Sequence, residues 1–224
     1  MRIVFLGDSL TWGGYGGDFV AEVARRLPQH TVVNAGEGGN TALNLLRRLP
    51  AVLEQGADGV FVMVGGNDAI SYSQPQTRRY YARAQGVPGG AVTPDQFAAA
   101  YRDLLTRIQL ARALAWVGLP PVEYSPPLVA AMRQYNERAR AAAAALSVPV
   151  LDLAAAFTAE SVRARPELDQ GAINLIGARV RAGWHAYEPE RKAGGFTYTF
   201  DGLHFTPEAA ARCGALVADF VQNA

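Results

Sequence analysis

One cysteine and three histidines are all that the 224 residues contain of those two side chains. Cys213 therefore cannot form an internal disulfide, and no companion ligands near it suggest a zinc site. It lies in an apolar helical stretch, where a thiol behaves as a small buried hydrophobe. Charge of one sign is not in excess either: the formal net charge is +1. No basic stripe stands out, so nucleic acid is not an expected partner. No apolar run approaches the roughly 20 residues of a membrane span, so no integral membrane contact is expected. The first strand begins at Arg2, which leaves no room for a signal peptide. With Met1 as the natural start, a cytoplasmic location is expected. Internal repeats, low-complexity tracts and interdomain linkers are missing as well, so a single domain over 1–224 is expected.

Half of the residues are hydrophobic and 18% are charged, which suits a folded chain with a sizeable core. Apolar runs at 2–6, 31–34, 59–64, 114–118 and 148–151 alternate with amphipathic stretches. That alternation predicts βαβ units and a parallel sheet. Thr31-Val32-Val33-Asn34 and Gly59 to Val64 are continuous runs bounded by turn residues, as strands covered on both faces should be. Thr93-Pro94-Asp95-Gln96 reads as an N-cap, a proline at the first helical position and a capping-box glutamine. Thr206-Pro207-Glu208 opens a final helix in a similar way. Between about 126 and 146, Leu128, Met132, Tyr135, Ala139 and Leu146 share one helical face.

Two stretches break the rhythm. Residues 69–92 hold Tyr72, Arg78, Arg79, Tyr80 and Tyr81. Residues 164–200 hold Trp184, His185, Tyr187 and a strand-like Phe196-Thr197-Tyr198-Thr199-Phe200. Connections this long are uncommon in compact domains and often form lids or binding loops. Because the first leaves directly from Asn67, Tyr72, Tyr80 and Tyr81 are expected to form one wall of a substrate pocket.

In an open parallel sheet, ligands gather beyond the carboxyl ends of the strands. The first strand runs into Gly7-Asp8-Ser9-Leu10. The second is followed by Asn34-Ala35-Gly36-Glu37-Gly38-Gly39-Asn40-Thr41, and the third by Gly65-Gly66-Asn67-Asp68. Just before the last helix stands Asp201-Gly202-Leu203-His204. A serine hydroxyl becomes a good nucleophile when a base accepts its proton. His204 can be that base, and Asp201 can fix its tautomer and stabilise the imidazolium. A tetrahedral intermediate needs donors aimed at its oxyanion. The backbone N–H groups of Ser9 and Gly39 and the neutral Asn67 amide are the candidates.

These blocks resemble those of the SGNH hydrolases, also called GDSL esterases or lipases. The matching residues are Gly7-Asp8-Ser9-Leu10, Gly39 within Asn34-Ala35-x-x-x-Gly39-x-Thr41, Gly65-x-Asn67-Asp68 and Asp201-x-x-His204, in the family's order. The resemblance implies a flavodoxin-like three-layer α/β/α sandwich with a central parallel sheet of about five strands. It implies Ser9 as nucleophile, Asp201 and His204 as the rest of a triad, and Ser9, Gly39 and Asn67 as the oxyanion hole. The substrate would be a small-molecule acyl ester or thioester, with no metal or organic cofactor. Carbohydrate acetylesterases share the motifs. An acyltransferase or a non-catalytic module that retains the pocket are further readings.

Each residue also has an ordinary role. Ser9 could cap a helix, and Asp8 would then shape the turn. His204 could belong to the cap of the last helix. His30 lies in a helix-to-strand turn at the wrong end of the sheet. His185 is the rival base, but no aspartate stands beside it. Asn67 could be a turn asparagine, with Asp68 organising its loop. The glycines at 36–39 and at 13–17 fit neither G-x-G-x-x-G with a following acid nor a P-loop.

Overall fold

The computed structural model describes residues 1–224, and its apolar runs assemble into one parallel sheet. The strands are β1 (Arg2–Gly7), β2 (Thr31–Gly36), β3 (Gly59–Met63), β4 (Leu114–Gly118) and β5 (Val150–Leu151). Their order is β2-β1-β3-β4-β5. This is the flavodoxin-like doubly wound order, with its switch point between β1 and β3. Side chains alternate across the sheet because a strand repeats every two residues. Val4, Leu6, Val60 and Val62 enter one core, while Ile3, Phe5, Phe61 and Met63 enter the other. Burial on both faces is the reason the strands read as unbroken apolar runs.

Eleven α-helices surround the sheet: α1 (Ser9–Trp12), α2 (Phe19–Arg26), α3 (Ala42–Leu53), α4 (Gly66–Ser73), α5 (Arg78–Ala84), α6 (Pro94–Leu110), α7 (Pro126–Ala145), α8 (Leu153–Ala156), α9 (Gln170–Arg181), α10 (Tyr187–Gly194) and α11 (Pro207–Asn223). The Phe5 face is covered by α2 and α11, which pack on each other through Phe19, Val23, Cys213 and Val217. Burial pushes the Cys213 thiol up. The Val4 face is covered by α3, α6 and α7, with Leu45, Leu104, Met132 and Tyr135 in its core. The expected start of α6 forms as a reciprocal capping box between Thr93 and Gln96, at 2.9 and 3.2 Å. The hydroxyl of Thr206 accepts the Ala209 N–H at the start of α11. No helix is long and apolar enough to cross a membrane.

Both long connections differ from plain loops. The first holds the end of α4, α5 and two 3₁₀ turns; the second holds α9 and α10. Tyr81, Val87, Val92, Leu168 and Ile176 are buried there. A few apolar anchors thus dock short helices whose overall polarity conceals them. The strand-like Phe196–Phe200 stays outside the sheet and makes only an isolated antiparallel bridge, Thr199 to Phe205. A carboxylate takes the place of a neighbouring strand: Glu123 accepts the N–H groups of Thr197, Tyr198 and Thr199.

Asp68 joins two elements of the Val4 face. Its two carboxyl oxygens lie 3.1 and 3.2 Å from the N–H of Ala42, the first residue of α3. Burial outweighs this contact and pushes the carboxyl up from 3.8 to about 8. The folded protein therefore holds a proton that the unfolded chain releases near pH 4. Stability should fall as pH rises across that window and level off above about 8. Asp68→Asn should flatten this part of the Tm–pH curve between about pH 5 and 8. Thermal melts at several pH values check it, and an unchanged slope would contradict the burial argument.

Candidate active site

The end of β1 places Ser9. Asp8 caps α1, its Oδ1 accepting the Leu10 N–H at 3.0 Å, and Ser9 is the first residue of that helix. The hydroxyl meets a residue from the far end of the chain: Ser9 Oγ lies 2.9 Å from His204 Nε2. His204 Nδ1 lies 2.7 Å from Asp201 Oδ2. The other oxygen of Asp201 accepts the N–H groups of Leu203 and His204 at 2.9 and 2.7 Å. With Nδ1–H donated to the carboxylate, Nε2 is free to accept the serine proton. The turn between acid and imidazole needs Gly202, whose φ is +89° and where a Cβ would lie 2.6 Å from the Tyr124 backbone.

Burial opposes the imidazolium, but the charge and hydrogen bond of Asp201 outweigh it, so the pKa of His204 stands above its ordinary 6.5. Burial likewise opposes the Asp201 charge, and His204 with the two backbone donors holds that carboxyl below the usual range. Asp8 is pushed up to about 6, chiefly by burial.

Two neighbours of the imidazole, and a buried carboxylate that holds its segment, carry no sequence motif. Tyr15 meets the His204 ring edge-on at 5.1 Å, and Phe200 stacks beside it at 5.9 Å. Glu123, only 1% exposed, gathers the N–H groups of Thr197, Tyr198 and Thr199 and the Thr199 hydroxyl at 2.6–2.9 Å. Its own N–H donates to the carbonyl of Gly202. The one clue to Glu123 in the sequence is its place after β4, at the ligand-binding edge of the sheet. A lone aromatic within Gly13 to Gly17 is the comparable clue to Tyr15.

The other two strand-end loops reach the same place. Gly39 has φ +80°, and a Cβ there would sit 2.3 Å from Gln85 Nε2 and 2.5 Å from the Tyr80 hydroxyl. Asn67 stands in the first turn of α4. The Tyr81 hydroxyl donates to its Oδ1 at 2.8 Å, and its Nδ2 donates to Asp8 Oδ2 at 3.4 Å. Tyr81 thus sets which way the amide faces. Asp8 and Asp68 both engage backbone N–H groups, the first within its own turn and the second at α3.

Ser9, His204, Asp201, Gly39 and Asn67 all line one cavity of about 400 Å³. Tyr80 and Tyr81 line it too, but Tyr81 is fully buried behind Asn67. Tyr72 does not line it: its side chain is 42% exposed on α4, which corrects the expected three-tyrosine wall. That segment is helical, so neighbouring side chains point different ways. The opposite wall is α9, through Ile173, Ile176 and Gly177. Both long connections therefore shape the cavity. His185 is exposed and its Nδ1 turns to the Gly183 carbonyl. His30 stands beside the amino group of Met1, at the start of β2.

Residues 5–212 match the GDSL-like Lipase/Acylhydrolase family. The chain belongs to that family. Ester hydrolysis in the broad sense comes with this membership. Among solved structures, a lipase/acylhydrolase from Enterococcus faecalis is 23% identical, with TM-score 0.67 over 99% of this chain and 95% of that one. The acetyl xylan esterase AlAXEase is 18% identical, with TM-score 0.68 over 98% of each chain. Axe2, an acetylxylan esterase from Geobacillus stearothermophilus, is 19% identical, with TM-score 0.68 over 98% of this chain and 93% of that one. At such identities the likeness concerns the fold. No curated protein matches the chain significantly.

In this GDSL-family chain, the Glu123 carboxylate is the anchor of the His204 segment. Glu123→Gln replaces one acceptor by a donor against a buried N–H. It should lower stability by about 1–3 kcal/mol, read from urea unfolding. An unchanged midpoint would show that the anchor is dispensable.

Proposed function

We propose that the chain hydrolyses carboxylic esters through an acyl-enzyme on Ser9. The observation that carries this reading is the unbroken hydrogen-bond path from Ser9 Oγ through the imidazole of His204 to Asp201. Ser9 attacks the acyl carbonyl while His204 Nε2 takes the hydroxyl proton. Asp201 stabilises the imidazolium that results. The backbone N–H groups of Ser9 and Gly39 and the Nδ2 group of Asn67 receive the oxyanion. The imidazolium then protonates the leaving alkoxide, and the ester C–O bond breaks. Water follows the same route in reverse: His204 takes its proton, hydroxide adds to the acyl carbon, and Ser9 leaves as the alcohol.

Ser9→Ala should abolish turnover of p-nitrophenyl butyrate while the melting curve keeps its shape. Asn67→Ala should lower kcat by about 10²–10³. Full activity in either variant would remove that residue from the reaction.

The pH dependence follows from the environment of His204. Only the neutral imidazole accepts a proton, and its pKa stands above 6.5. Activity should therefore be lost as pH falls through a midpoint above 6.5 and hold steady on the alkaline side. The profile of kcat/KM reports this for the free enzyme. A midpoint well below 6.5 would contradict the pairing with Asp201. A panel of graded acyl esters, a thioester and acetylated xylan then fixes the acyl and leaving groups.

A further inference from the structure

Two cations in the cavity have no part in that chemistry. Arg165 and Arg181 both line it. Neither takes part in an ion pair, whereas Arg179 beside them is held by Glu190 in a two-pronged pair at 3.0 and 2.9 Å. Arg165 is half-buried. Its guanidinium carbon lies 4.1 Å from the centre of the Phe196 ring and 5.9 Å from that of Tyr124. One terminal nitrogen donates to the Gly194 carbonyl. Its Nε is sealed from solvent and has no acceptor. This cation is thus fixed in place and partly stripped of water without a counter-charge, a costly arrangement for a protein to keep.

Arg181 lies on the same 164–200 connection, as the last residue of α9. Its Nη1 lies 3.4 Å from where a Cβ on Gly177 would be, and the Tyr15 hydroxyl lies 2.8 Å from that point. Tyr15 in turn packs on His204. The carboxylates of the cavity are already engaged. Asp8 and Asp201 hold their own turns, and Glu190 holds Arg179. The two cavity arginines without an ion pair both lie on the 164–200 segment.

We infer that the cavity is built for esters that carry a second, anionic oxygen group, a carboxylate or a phosphate, received by Arg165 and Arg181 while Ser9 takes the acyl carbonyl. The inference rests on the ester-hydrolase reading and specifies its substrate class. A guanidinium fork suits either anion, and fixing it on aromatic rings reduces the entropy lost on binding. The site would also draw anionic substrates toward the cavity mouth.

The test compares kcat/KM within two matched pairs on the full chain. One pair is p-nitrophenyl hemiglutarate and p-nitrophenyl valerate, which places a carboxylate on the acyl side. The other is 4-acetoxyphenyl phosphate and phenyl acetate, which places a phosphate on the leaving group. In at least one pair the anionic member should be preferred by about tenfold or more, the worth of a charge-assisted hydrogen bond. The pair that responds identifies the anion. The preference should shrink with added salt and collapse toward unity in Arg165→Met and Arg181→Met. Arg181 is exposed, so its variant is read without a change in folding. Equal or slower turnover of both anionic members by the unaltered protein would overturn the inference, as would a preference that survives both substitutions. Turnover of the neutral members, and its loss in Ser9→Ala, reports on the underlying hydrolase reading independently of these ratios.

Discussion

Four donors converge on the Glu123 carboxylate, and the position of His204 depends on them. The segment that carries Asp201 and His204 lies outside the sheet, so no ladder of strand hydrogen bonds fixes it. A buried anion does so instead, by satisfying N–H groups that would otherwise be stranded. Phe205 and α11 then pack against the Phe5 face and hold the segment from its other side. The imidazole is aimed by this combination of a polar anchor and an apolar backing. Tyr15 and Phe200 limit how far the ring can swing.

The parallel sheet explains why the remaining groups meet it. Strands that run the same way deliver all their following loops to one edge. Ser9, Gly39 and Asn67 follow β1, β2 and β3, three adjacent strands in the sheet. Each loop carries a backbone or side-chain constraint suited to close approach. Gly39 has a conformation that other residues rarely adopt. Asn67 is oriented by Tyr81, and Asp8 holds the Ser9 turn by accepting the Leu10 N–H. Further walls come from Pro120 to Tyr124 after β4 and from the two long connections, which the sheet itself does not need.

What could be read from the sequence follows how local each feature is. The strands are legible because burial on both faces leaves runs such as Gly59 to Val64 without interruption. Thr93 and Gln96 are legible because a capping box spans only a few residues. The approach of Ser9 to His204 is legible only through the order of the motifs. Glu123 is not legible, since its partners lie 74–76 residues away and no spacing rule links them. The alternating aromatics and threonines of Phe196 to Phe200 imitate a strand, but no sheet edge is there to receive them. Tyr72 reads like Tyr80 and Tyr81 in sequence because the helical phase of α4 and α5 is hidden in a polar segment.

The Ser9 hydroxyl and the His204 imidazole are separated by 195 positions along the chain. Their approach is a product of tertiary packing, made when Phe205 and α11 seat on the Phe5 face. A cut after Phe200 would part His204 from Ser9 while leaving all five strands in one piece.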